Sequence, residues 1–153
     1  MKLYYKEIDF NRFHKCAVLC CKYTEPDMKG QFDVEYLKNS LLWGFFVDED
    51  YEDEGEDFMF GVGYIQPSLF EEDKFNVGCA FNPYFRGRFA KDILKEWMDK
   101  VGTNYSVLKA EAAPGHKACH IFAKWLGFNI IWEDDKAVYL ERVNNEFFAR
   151  KSA

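Results

Sequence analysis

The chain has 153 residues, 20 basic and 26 acidic side chains and a net charge of −6. Apolar residues make up 48% and aromatic residues 19%, which excludes a disordered or collagen-like chain and supplies large side chains for a core. The length suits a single domain over residues 1–153.

No apolar run approaches the roughly 18 residues that span a bilayer, and no hydrophobic leader opens the sequence. Cys16, Cys20, Cys21, Cys79 and Cys119 are odd in number and scattered, so they read as reduced, mostly buried thiols of a cytoplasmic protein. The acidity is local. Residues 48–57 hold eight acids and no base, and without them 20 basic face 18 acidic residues. No basic stripe suggests nucleic acid, and no segment suggests a membrane.

In chain order, Leu3–Ile8 reads as a strand, followed by a helix capped by Asp9 or Asn11 with Phe10, Phe13, Ala17, Cys20 and Cys21 apolar. A second short helix is expected over Asp33–Trp43. Gly44–Val47 and Phe58–Ile65 then form an antiparallel hairpin with the acidic tract at its tip, and Phe75–Phe81 is a third strand of a meander over 44–85. From Arg88 to Val101, Phe89, Ala90, Ile93, Leu94, Trp97, Met98 and Val101 recur at helical spacing, and Gly102 ends the helix. A strand over Val107–Ala112 follows. Next come a helix carrying Ala118, Ile121, Phe122, Trp125 and Leu126, and a closing hairpin of Phe128–Trp132 with Ala137–Val143. This order is α/β: a mixed, mostly antiparallel central sheet with helices on both faces.

Two stretches carry a resemblance. Phe81-Asn82-Pro83-Tyr84-Phe85-Arg86-Gly87-Arg88-Phe89-Ala90 resembles the strand-to-helix junction of the GNAT superfamily of acyl-CoA-dependent N-acyltransferases. Pro114–Phe128, ending Lys124-Trp125-Leu126-Gly127-Phe128, is similar to that family's late helix and its Leu-Gly-Phe step. Compact GNAT-like chains lacking the full glycine loop also resemble small proteins of tailed phages.

The resemblance implies acetyl-CoA as acyl donor, a primary amine in a small molecule or protein as acceptor, and direct transfer between them. A homodimer is compatible with it. Unpaired amides at a helix start donate hydrogen bonds to a diphosphate, which by this resemblance places donor binding at Arg86, Gly87, Arg88, Phe89, Ala90 and Lys91. The preceding main chain at Cys79, Ala80 and Phe81 would face the pantetheine arm. Phe89 and Lys91 stand where the family's loop carries glycine, or glycine or alanine.

Catalytic groups are less legible. The strand Phe75–Phe81 has no carboxylate for a general base, and Ala123 stands where the resemblance implies a tyrosine acid. His116 and Glu111 are the remaining candidates. His116 is otherwise a solvated residue at a helix start, and Glu111 a structural carboxylate. His116 and His120 share the i, i+4 spacing of zinc ligands but lack a third ligand, so no metal site is expected. Cys79 reads as a packing residue before a nucleophile. The acidic tract reads as a solvated hairpin tip, or as an attractor for a cationic acceptor.

Overall fold

The computed structural model describes residues 2–15, 17–18, 37–48, 57–85 and 87–152, with the backbone alone at residues 88 and 89. Cys16, Cys20, Cys21, Arg86, residues 49–56 of the acidic tract and most of the expected second helix lie outside these. Seven strands, β1 (Lys2–Ile8), β2 (Leu41–Asp48), β3 (Phe58–Pro67), β4 (Lys74–Phe81), β5 (Val107–Ala112), β6 (Asn129–Glu133) and β7 (Val138–Val143), are ordered β1-β2-β3-β4-β5-β7-β6. The β1–β2, β2–β3, β5–β7 and β6–β7 pairs are antiparallel and β4–β5 is parallel. The mixed, mostly antiparallel sheet is the expected one.

The chain forms two compact units, Met1–Ile65 with Gly78–Leu94, and Gln66–Val77 with Lys95–Ala153. In the first, Asp9 is the cap that the sequence left open between two residues. Its carboxylate accepts the Asn11 N–H at 2.9 Å and its carbonyl the Phe13 N–H at 3.1 Å, which starts helical turns at residues 10–15 and 17–18. Phe10, Phe13, Ala17 and Leu37 pack with Ile8, Leu42, Phe46, Met59, Val62, Tyr64 and Ala80 into one core.

The expected helix over Asp33–Trp43 is corrected at its end. Helical backbone is described only at residues 37–38, and β2 begins at Leu41, ahead of the expected Gly44. Leu42–Val47 are all buried. A short apolar run buried on both faces has no period that separates strand from helix.

In the second unit, the parallel ladder pairs Lys74 with Val107, Phe75 with Leu108 and Asn76 with Lys109. Strand β5 is the predicted Val107–Ala112. The central helix, Arg88–Lys100, belongs to the first unit through Leu94 and to the second from Lys95, and buries Ala90, Ile93, Leu94, Trp97 and Met98. Its outer face carries the i, i+4 ion pairs Lys95–Asp99 and Glu96–Lys100. Gly102 follows it in a one-turn 3-10 helix, where a side chain would strike the Met98 sulfur 2.9 Å away.

The late helix, Lys117–Trp125, differs from its expected apolar face: none of its residues is buried. Leu126 and Phe128, just beyond it, enter the core instead. A C-terminal helix, Asn145–Ser152, was not anticipated. Among the described residues no helix is long and apolar enough to cross a membrane.

Candidate functional site

The stretch proposed for donor binding lies within the first unit, on the end of β4, a tight turn and the start of the central helix. Asn82 closes the strand by donating its N–H to the Phe60 carbonyl at 2.8 Å. Phe60 is the extra residue of a bulge, since Phe46 pairs with Met59 and Phe45 with Gly61. The Asn82 carboxamide oxygen accepts the Tyr84 N–H at 3.0 Å, and its carbonyl accepts the Phe85 N–H at 2.9 Å. Asn-Pro thus winds the chain into one 3-10 turn, Pro83–Phe85.

Phe85 anchors the turn. Its ring stacks on Phe60 at 5.0 Å and lies 5.6 Å from Phe58, and Phe60 continues to Phe81 at 6.0 Å and Phe45 at 6.5 Å. Tyr84, its neighbour, is exposed. Offset aromatic pairs add stability beyond area burial, so the turn is fixed on a rigid aromatic layer.

Gly87 then opens the helix at φ +87°, and no described atom lies within 4 Å of where its Cβ would stand. Glycine is needed for backbone conformation, not for want of space. Among the described residues, the first i→i−4 bond runs from the Lys91 N–H to the Gly87 carbonyl at 2.9 Å. The amides of Arg88, Phe89 and Ala90 precede it, at the positive end of the helix dipole. Ala90 is buried and Lys91 exposed. Upstream, Cys79 is half-buried, and Ala80 and Phe81 are buried. All three follow Asn76, the last β4 residue paired in the parallel ladder.

The catalytic candidates lie in the second unit. Glu111 is exposed on β5, opposite Tyr139. His116 is the exposed N-cap of the late helix; its carbonyl accepts the Cys119 and His120 N–H groups at 3.1 and 3.3 Å, and its imidazole makes no capping bond. One His120 ring nitrogen, Nε2, instead lies 3.1 Å from the Ala113 carbonyl. Among the described residues, no three His, Cys, Asp or Glu side chains are grouped to hold a metal. The expectation of mostly buried thiols is corrected where the structure describes them: Cys119 is exposed and Cys79 half-buried.

Of the acidic tract, Asp57 accepts a hydrogen bond from the Tyr4 hydroxyl. Partial burial first, then this bond and the nearby Asp57 and Asp48 charges, push the Tyr4 pKa up to about 12. The roles of Asn82 and Phe85 were not read from the sequence. The Asn-Pro dipeptide was the available signal for the first. Nothing local marks the second.

This architecture is the GNAT fold, that of N-acetyltransferases. Similar solved structures include the GNAT domain of PAT from S. lividans (TM-score 0.68, 12% identity, covering 91% of this chain and 89% of that one). The aminoglycoside N(6')acetyltransferase of Legionella pneumophila is also similar (TM-score 0.66, 10% identity, 98% of both chains). So is the ribosomal-protein-S18-alanine N-acetyltransferase of Escherichia coli (TM-score 0.64, 12% identity, covering 93% of this chain and 94% of that one). No family model matches the chain, and no curated protein matches it by sequence.

Proposed function

We propose that the chain is a GNAT-type N-acyltransferase, working as one domain and moving an acetyl or related acyl group from acyl-CoA to a primary amine. The observation that supports this is the start of the central helix, where the amides of Arg88, Phe89 and Ala90 precede the first described helical bond beside Gly87, which has no described atom within 4 Å of its Cβ position. Those amides receive the diphosphate, with Arg86, Arg88 and Lys91 supplying positive charge. The main chain of Cys79, Ala80 and Phe81 pairs with the pantetheine arm.

In the reaction the amine nitrogen attacks the thioester carbonyl. The C–N bond forms, the C–S bond breaks, the nitrogen gives up a proton and the CoA thiolate takes one up. Positioning supplies much of the rate, and His116 and Glu111 are the candidates for proton transfer. The acceptor is a small molecule or a protein.

A second reading, a GNAT-fold binding or structural component without activity, has support in Ala123 and in a β4 sequence that holds no carboxylate. Acetyl-CoA binding to the native state at a hundred times its Kd raises stability by about 2.7 kcal/mol. A raised Tm that Arg86→Glu abolishes supports the donor site, and an unmoved Tm at millimolar acetyl-CoA overturns it. Thiol release across a panel of primary amines then separates an enzyme from an inactive binder.

A further inference from the structure

We infer that Tyr64, on β3, is a further catalytic residue of the proposed transfer, holding the acceptor amine with a hydroxyl that stands where a β4 side chain would be. The inference rests on the donor site proposed above. Strand β4 has no hydroxyl or carboxylate of its own, and beyond Asn76 it runs Val77-Gly78-Cys79-Ala80-Phe81. At Gly78 the neighbouring strand fills the gap. A Cβ built on Gly78 would fall on the Tyr64 hydroxyl oxygen first, and on ring atoms Cζ and Cε1 beside it. Both residues belong to the first unit. Alternation puts Gly78 on the same face of β4 as Ala80, and Ala80 and Tyr64 share one buried cluster.

Covering a strand glycine takes only an aromatic ring. In the same unit the Phe46 ring covers Gly44 and the Phe81 ring covers Gly61. At Gly78 the covering ring carries a hydroxyl, which a packing role does not require and which is costly to bury. The position along β4 gives that hydroxyl its task. The diphosphate is assigned to the start of the central helix, and the pantetheine arm to the main chain of Phe81, Ala80 and Cys79. Followed away from the helix, the arm passes those residues in that order, and its thioester end comes next, beside Gly78. There the Tyr64 hydroxyl oxygen accepts a hydrogen bond from the acceptor amine and aims the nitrogen lone pair at the thioester carbonyl. The step is otherwise as given above: the C–N bond forms, the C–S bond breaks, one proton leaves the nitrogen and the CoA thiolate takes one up.

The test is steady-state thiol release by the full chain from acetyl-CoA, with n-butylamine, 1,4-diaminobutane and a lysine-containing peptide as acceptors. Thermal denaturation with and without acetyl-CoA accompanies it. Tyr64→Phe keeps the ring over Gly78. It should lower kcat/KM for the amine by roughly tenfold or more, while KM for acetyl-CoA and the rise in Tm that acetyl-CoA causes stay unchanged. A second pair of variants separates the hydroxyl from packing. Tyr64→Ala should lose the same activity. Gly78→Ser in that chain, which returns a hydroxyl to the vacated space, should restore part of it, and Gly78→Ala in its place should restore none. Tyr64→Phe turning over like the native chain overturns the inference and leaves the proposed transfer standing. So does equal rescue by alanine and serine, which would make packing the role. Native chain that releases no thiol with any of the three amines overturns the transfer and the part of Tyr64 in it together.

Discussion

The Asn82 amide donates to the Phe60 carbonyl at 2.8 Å, and Phe60 is the residue that bulges out of the β2–β3 ladder. The irregularity of one strand thus sets where the next one ends. From that bond four residues lead to Gly87, which opens the central helix, and the first three, Pro83–Phe85, make the turn.

Phe85→Ala should lower stability by about 2 kcal/mol, because it removes a half-buried ring stacked at 5.0 Å on Phe60. For a domain of this size that is a fall in Tm of roughly 4–8 °C, readable by thermal denaturation. Phe85→Leu should recover part of the loss. An unchanged Tm in Phe85→Ala would show that the aromatic layer does not hold the turn.

Gly87→Ala should cost about 1–2 kcal/mol from φ +87° alone, since no described atom obstructs the new Cβ. Gly87→Asn, whose side chain tolerates positive φ better, should cost less. Urea unfolding of the two variants checks the order. If they are equal, sterics rather than backbone conformation govern the position.

Asn144 is buried where β7 meets the C-terminal helix. Its Nδ2 donates to the Gly102 and Tyr105 carbonyls at 2.9 and 2.7 Å, while its Oδ1 accepts from Arg142 Nε at 2.9 Å. Asn144→Ala should destabilise by about 2 kcal/mol, as two carbonyls lose their donor. Asn144→Asp should be worse at neutral pH and recover as the pH falls, because only a protonated carboxyl can donate to either carbonyl. Chemical denaturation at two pH values tests this.

The Tyr4 pKa is raised from 10.0 to about 12 in the fold. The neutral hydroxyl therefore contributes stability that is fully present below pH 10 and lost as pH rises from about 10 toward 12, where the unfolded chain deprotonates first. Urea midpoints should fall across that window, and Tyr4→Phe should flatten the fall. A slope unaltered by the substitution would assign the alkaline loss to other groups. Tyr139, also raised, mainly by desolvation, is the first of these.

Where the hydrophobic period was long, sequence and structure agree closely. The central helix starts at Arg88 as predicted and buries Ile93, Leu94, Trp97 and Met98, spaced on one helical face. Strand β5 matches residue for residue. At Leu41–Trp43 the agreement fails, because Leu37, Leu41 and Leu42 fit a helical face as well as the start of a buried strand. Only pairing with Ile8 and Tyr64 across Leu42 decides between them. The C-terminal helix was missed for a related reason: it is short and has no buried residue, so it lacks an apolar stripe.

In the candidate site, Arg86-Gly87 and the helix that follows were legible because a strand end, a proline and a glycine are local signals. Local residues, then, were enough to determine the strand-and-helix order and the position of the helix start with its early amides. The tertiary structure alone decided that Phe60 and Phe85 clamp that start. It also decided that Asn144 ties β7 to Gly102 and that all five β6 residues are exposed. Each of these depends on partners far apart in the sequence, and periodicity within one segment carries no information about what lies across from it.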